Sequence, residues 1–149
     1  MFEPISFFVA GTPKPAGSKR AFALKKAGQF TGRVVVTDDC KGSKDWKTDV
    51  RNAAPKRTAL IDAPIRLTLT FLLVRPKGHY RTGKNAALLR EGAPTVPTTK
   101  PDVLKLARGV EDALTGIIWR DDSLIVTETL RKRFSTRPGV EVEIHEEAV

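Results

Sequence analysis

Residues 65–74 read Ile-Arg-Leu-Thr-Leu-Thr-Phe-Leu-Leu-Val, so Ile65, Leu67, Leu69 and Phe71 alternate with Arg66, Thr68 and Thr70. A period of two is the pattern of a strand with one face buried and the other wet. Such a face needs a second layer packed on it. Residues 102–115 supply the clearest candidate: Val103, Leu106, Ala107, Val110, Ala113 and Leu114 recur at helical spacing, and Gly116 suits the helix end. Thr99 and Asp102 stand at capping-box spacing, with Asp in place of the usual Glu or Gln. A second helix is expected from Ser43, its cap, to about Ala54, with Trp46, Val50, Ala53 and Ala54 on one face and Pro55 beyond it. Residues 5–10 read as a first strand. Residues 124–134 and 140–145 read as an antiparallel hairpin around Arg137-Pro138-Gly139. Residues 11–33, rich in Gly and Pro, read as a loop or irregular hairpin, with a short strand at Val34–Val36. Residues 75–100 form a second loop, with room for a short helix near 84–90. The expectation is an α+β (mixed α/β) fold: one small domain, residues 1–149, with one mixed sheet and two main helices.

Composition narrows the class. At 149 residues the chain suits one domain that folds without staples. A single cysteine, Cys40, excludes a disulfide scaffold. No apolar run reaches the ~18 residues of a membrane span, and Met1-Phe-Glu-Pro lacks the features of a signal peptide. A cytoplasmic protein is expected. The 26 Lys and Arg against 17 Asp and Glu leave a net charge of +9, which favours a polyanionic partner, nucleic acid first. The charge is concentrated. Residues 11–33 hold Lys14, Lys19, Arg20, Lys25, Lys26 and Arg33 with no acid, and residues 75–100 hold Arg75, Lys77, Arg81, Lys84, Arg90 and Lys100 against Glu91 alone. An RNA-binding protein would interleave aromatics for base stacking, but Tyr80 is the sole aromatic of the 75–100 loop.

Against this basic background Asp102, Glu111, Asp112, Asp121 and Asp122 stand out. Cations that hold a phosphodiester, together with a few carboxylates that hold Mg²⁺, are the composition of a metal-dependent nuclease. Blander readings exist for each acid. Asp102 suits a helix N-terminus by capping and dipole alone. Asp112 lies ten residues further along the helix, ~15 Å away, so it cannot share an ion with Asp102 and reads as structural. Asp121-Asp122 suits a turn. His79 and His145 are isolated; His79 is at best a phosphate contact. Cys40 has no histidine near it in sequence.

The stretch Lys100-Pro101-Asp102, then Asp112-Ala113-Leu114-Thr115-Gly116, then Asp121-Asp122-Ser-Leu-Ile-Val resembles the RusA family of Holliday junction resolvases, small endonucleases of bacteria and their phages. The family core reads K-P-D-x-D-N-L-x-K, D-A-L-T and D-D-x-x-I/V. Gly11-Thr-Pro13-Lys-Pro15-Ala-Gly-Ser-Lys19-Arg20 is similar to the family's P-x-P-x-x-x-x-R loop. The resemblance implies a homodimer that cuts four-way DNA junctions with Mg²⁺, for which Mn²⁺ can substitute. It implies Asp102 and Asp122 as catalytic metal ligands, with Asp121 beside them as an assisting catalytic and metal-binding acid, and Arg108 as a catalytic residue in the place of a family lysine. Lys14, Lys19, Arg20, Arg75, Lys77, Arg81, Lys84 and Lys100 are the expected DNA contacts. The second Asp of D-x-D falls on Leu104 and the following Asn on Lys105. Leu104 cannot ligate a metal, and Glu111, two turns on, is a doubtful replacement. The alternative is therefore a DNA-binding module on the same fold that no longer cuts.

Overall fold

The structure is a computed structural model that describes residues 1–17, 19–38 and 41–148, without the side chains of 19–22 and 35–38. In chain order the elements are β1 (Ile5–Ala10), β2 (Lys19–Lys26), β3 (Gln29–Asp38), α1 (Ser43–Ala53), β4 (Ile65–Leu73), α2 (Val103–Leu114), β5 (Ile125–Phe134) and β6 (Gly139–Glu146). β1, β6, β4 and β5 form one mixed sheet in that order, and β2 and β3 form a separate antiparallel hairpin. The fold is α+β, with two helices on one face of a mixed sheet. Among the described residues no helix is long and apolar enough to cross a membrane.

β4 follows its alternation. Ile65, Leu67, Leu69 and Phe71 are fully buried beneath the helices. Its neighbour β6 answers with Val140, Val142 and Ile144, which register against Phe71, Leu69 and Leu67. α1 adds Trp46 and Val50 to this core, and α2 adds Leu106, Val110, Ala113 and Leu114. Trp119, beyond α2, is fully buried, and its indole N–H donates to Thr115 Oγ1 at 3.0 Å.

Three local expectations change. β5 and β6 are not a hairpin: β5 pairs parallel to β4, and β6 lies on β4's other side, antiparallel. The physical reason is burial. β6 takes the interior of the sheet, burying Val140, Val142 and Ile144 on its helix-covered face, whereas no residue of β5 is buried and its Glu128, Arg131, Lys132 and Arg133 suit an edge strand. α1 is capped by Gly42 rather than Ser43. Gly42 has φ 83°, a left-handed conformation that costs glycine little, and Ser43 is the first helical residue, itself buried. The 75–100 loop contains no α-helix near 84–90 but two single 3₁₀ turns, Lys77–His79 and Gly83–Asn85.

The N-terminal loop docks on α2 through Gly109. A Cβ there would lie 3.2 Å from the Lys14 carbonyl oxygen, and one helical turn earlier the Ala16 amide donates to the Lys105 carbonyl at 2.9 Å. Glycine at 109 thus lets the Lys14–Ala16 backbone lie against the helix and brings the Pro-rich loop to its first turn.

Candidate functional site

Asp102 sits at the N-cap position of α2 with extended backbone angles, yet its carboxylate makes no capping hydrogen bond. Simple capping therefore does not occupy this side chain. Asp102 instead lines a recess of about 450 Å³, whose walls come from the Pro13–Pro15 loop, from Lys100-Pro101 and from Leu73. Lys14, Lys41, Lys100 and Lys105 surround it. Lys14 and Lys100 were expected beside a phosphate, and the fold brings them to the same acid. Lys41 and Lys105 join through the start of α1 and the first turn of α2, placements that local sequence does not reveal. Lys132 of β5 positions this end of the helix. Its ammonium donates to the Thr99 carbonyl at 2.9 Å and to the Pro101 carbonyl at 3.0 Å, tying the segment before Asp102 to the sheet edge.

At the other end of α2, Asp121 caps the 3₁₀ turn Asp122–Leu124. Its Oδ1 accepts from the Ser123 amide at 2.8 Å. Hydrogen bonds from Ser123 hold its carboxyl below the usual aspartate range. Asp121 is thus a positioner of the turn that presents the exposed Asp122.

Sequence reasoning missed a carboxylate pair between α2 and β5. Glu128 registers with the buried Leu67, so it points to the helix-covered side of the sheet. There it meets Glu111 of α2 within hydrogen-bonding reach. Burial, then the charge and hydrogen bond of Glu128, then the charges of Asp122 and Asp112 push Glu111 from its ordinary 4.5 up to about 7. Partial burial raises Glu128 as well, opposed by its hydrogen bond to Glu111. Near neutral pH Glu111 is therefore about half protonated. The signal for Glu111 was its place on the Leu104–Arg108 side of the helix; the signal for Glu128 lay only in strand register.

The structure does not gather every expected acid. Among the described residues no three carboxylate, imidazole or thiol groups converge closely enough to cage an ion. Asp122 lies within electrostatic range of Glu111, and Glu111 is nine residues from Asp102, ~13 Å along the helix. The donors available are all hard oxygens. They fit Mg²⁺ as a partial set, since that ion ordinarily takes one or two carboxylates and completes its shell with water and phosphate. Asp112 pairs with Lys47 of α1 at 3.5 Å, so its role is to join the helices, as a structural reading expects.

The remaining candidates fall in two groups. Lys77, Arg81 and Lys84 are exposed on the 75–100 loop. Arg75 holds that loop down: its guanidinium lies 4.3 Å above the Phe134 ring, and it donates to the Pro94 carbonyl at 2.7 Å. His79 packs edge-on to the same ring at 5.4 Å. Arg108 is exposed on α2, one turn from Leu104, which is itself 70% exposed. The side chains of Lys19 and Arg20, and all of Cys40, lie outside the described residues.

The family model for endodeoxyribonuclease RusA matches residues 11–145. A Bacillus subtilis (strain 168) protein, named only as uncharacterized protein YqaN, is 33% identical over 144 residues, which cover 95% of this chain and 96% of that protein.

Proposed function

The chain belongs to the RusA endodeoxyribonuclease family, and from that premise we propose that it is a Mg²⁺-dependent, structure-selective endodeoxyribonuclease that resolves four-way DNA junctions. The family's members are nucleases of branched DNA that act in recombination and generally depend on a divalent metal. The observation that carries the reading to this chain is Asp102, an acid with no capping bond placed among four lysines in one recess. A nuclease needs this juxtaposition, because the cations hold the phosphate that the carboxylate must face.

In this reading Lys14 and Lys100 bind the phosphate nearest Asp102, and Arg108 adds charge from the exposed side of α2. Asp102 would hold Mg²⁺ among these lysines; Asp122, presented at the other end of α2 by the turn that Asp121 fixes, would be a second metal-facing carboxylate rather than a ligand of the same ion. When bound, the ion supplies an activated water and steadies the leaving oxygen. Lys19, Arg20, Lys77, Arg81 and Lys84 contact phosphates further out. Such contacts position DNA without reading sequence, so junction choice follows from shape and from the spacing of two sites. Two symmetric incisions require two sites, and we propose a two-fold homodimer. Mn²⁺, less demanding in geometry, substitutes for Mg²⁺.

A second reading has one observation in its favour. Leu104 takes the place of the second family Asp and is exposed without apolar cover, as in a binding module that has lost cleavage. The discriminating experiment replaces Asp102 and Asp122 by Asn, one at a time. The nuclease reading expects each variant to bind a four-way junction at least as tightly as wild type, because a repelling charge is gone, and to lose cleavage in Mg²⁺. Wild-type protein that binds junctions tightly but yields no product in Mg²⁺ or Mn²⁺ would establish the binding module instead.

A further inference from the structure

We propose that the outer face of α1 and the segment after it form a cationic track along which one duplex arm of a branched DNA leaves the Asp102 recess. The inference rests on the reading of this chain as a branched-DNA protein and deepens it, because it assigns the surface that receives an arm.

The track starts at the recess itself, where Lys41 stands just before α1. Trp46 and Val50 are buried in the core, so the opposite side of α1 faces solvent. Lys44, Thr48 and Arg51 follow one another there at i, i+4 and i+7, a single row on a helix, and all three are exposed. The acids of α1 lie off this row. Asp49 is turned toward the end of β1, since its Oδ2 would lie 3.8 Å from a Cβ at Gly11. Asp45 precedes it by one turn on the same side. On the other flank Lys47 is joined to Asp112 of α2 at 3.5 Å. The row therefore presents cations to solvent, with the neighbouring carboxylates set to one side or paired.

The far end is a second basic recess. Arg51, Asn52, Lys56 and Arg57, together with Leu60 and Ile117, line a hollow of about 480 Å³. Arg51 alone would suit the helix C-terminus by its dipole. Lys56 and Arg57 have no such reason, because the helix ends at Ala53 and Ala54 is extended. The Arg57 Nε–H donates to the Ala59 carbonyl at 3.2 Å, which steadies its guanidinium at the rim. Residues 50–61 contain no acid, and Asp62, the next one, accepts from the Arg120 guanidinium at 2.8 Å. No acid of this segment offsets the three cations.

A row of one sign between two recesses complements a polymer of evenly spaced negative charge and opposes a second copy of the same face. The row and the far recess include no aromatic side chain, since Trp46 is buried, so they lack the stacking platforms that a single strand uses. A duplex fits by length. α1 has 11 residues, ~16 Å at 1.5 Å per residue. Phosphates advance about 3.4 Å per base pair along each strand, so the far recess meets an arm about five or more base pairs from the branch. These contacts hold and aim the arm without reading its sequence.

The test uses the full chain in chelator, so that no substrate is cut. Arg51→Ala/Lys56→Ala/Arg57→Ala is compared with wild type on a four-way junction and on the same junction carrying uncharged methylphosphonates about five to eight base pairs from the branch. The expected result is a loss of about tenfold for the variant on the natural junction, a similar loss for wild type on the methylphosphonate junction, and little further loss when the two changes are combined. The slope of log affinity against log salt should fall by up to ~3 in the variant. All three positions are exposed, so thermal melts of the two proteins should coincide. Lys25→Ala/Lys26→Ala/Arg33→Ala removes the same charge elsewhere and should leave the methylphosphonate effect intact. Losses that simply add, an unchanged salt slope, or a methylphosphonate effect that this second variant also abolishes overturns the track. A wild-type protein that shows the coupling but never cuts in Mg²⁺ leaves the track standing and removes the nuclease reading. Cleavage without the coupling does the reverse.

Discussion

Glu111→Gln should stabilise the protein at alkaline pH and leave it unchanged in acid. In the folded chain Glu111 titrates at about 7 instead of its ordinary 4.5, because it is partly buried against Glu128 and faces the charges of Asp122 and Asp112. A carboxyl whose folded pKa is raised binds more protons in the folded state than in the unfolded state between those values. Stability therefore falls as pH rises through that window and stays lower above it. Each pKa unit corresponds to about 1.4 kcal/mol, which sets a ceiling of about 3 kcal/mol. Solvent reaches part of the pair, so screening reduces the effect to about 1–2 kcal/mol. Glutamine keeps a hydrogen bond to Glu128 and removes the charge. Urea denaturation of both proteins from pH 4 to 8.5 should give nearly coincident midpoints at the acid end, midpoints that diverge as pH rises through the window from 4.5 to about 7, and a constant gap above it. At pH 8 the variant's Tm should be higher by about 3–6 °C. A difference independent of pH, or a variant less stable than wild type at pH 8, would refute the carboxylate-pair argument.

Asp112→Asn removes one side of the Lys47 ion pair between the helices. It should cost about 1 kcal/mol in a denaturant melt and leave junction cleavage intact. Gly109→Ala places a methyl 3.2 Å from the Lys14 carbonyl, where the neighbour is backbone. It should cost about 1–2 kcal/mol by thermal melt and weaken DNA binding as the Lys14 loop lifts from α2. Leu104→Asp puts a charge on a side chain that is already 70% exposed, so melts should stay within about 0.5 kcal/mol of wild type; cleavage at low Mg²⁺ should rise as a carboxylate joins Asp102. Lys77→Ala/Lys84→Ala should flatten the salt dependence of junction affinity by up to ~2 in slope, as read from anisotropy titrations between 50 and 200 mM salt.

Sequence carried the two strongest periodicities into structure almost unchanged. β4 needed only Ile65, Leu67, Leu69 and Phe71 in alternation, and α2 only its apolar stripe, because both patterns are local. Strand partnership was not local. Whether β6 pairs with β5 or with β4 depends on which strand can be buried inside the sheet, and both strands carry charges at similar density, so only the packing of Val140, Val142 and Ile144 beside β4 decides it. The same limit applies to the site. Asp102 was legible from its helix start and its family motif, whereas Lys41 and Lys105 reach its recess through tertiary packing. Glu128 gains its meaning from registering with Leu67, sixty-one positions away in the chain. Arg75 looked like a phosphate ligand because charge in a loop carries no sign of an aromatic partner; Phe134 lies at the end of a different strand.

The most direct measurement of the central claim is single-turnover cleavage of a synthetic four-way junction, with each strand end-labelled in turn, in Mg²⁺ and in chelator. The account predicts paired nicks in two opposed strands, present in Mg²⁺, absent in chelator, and absent in Asp102→Asn at protein concentrations that saturate the junction. Nicks that persist in chelator, or full activity in Asp102→Asn, would contradict it.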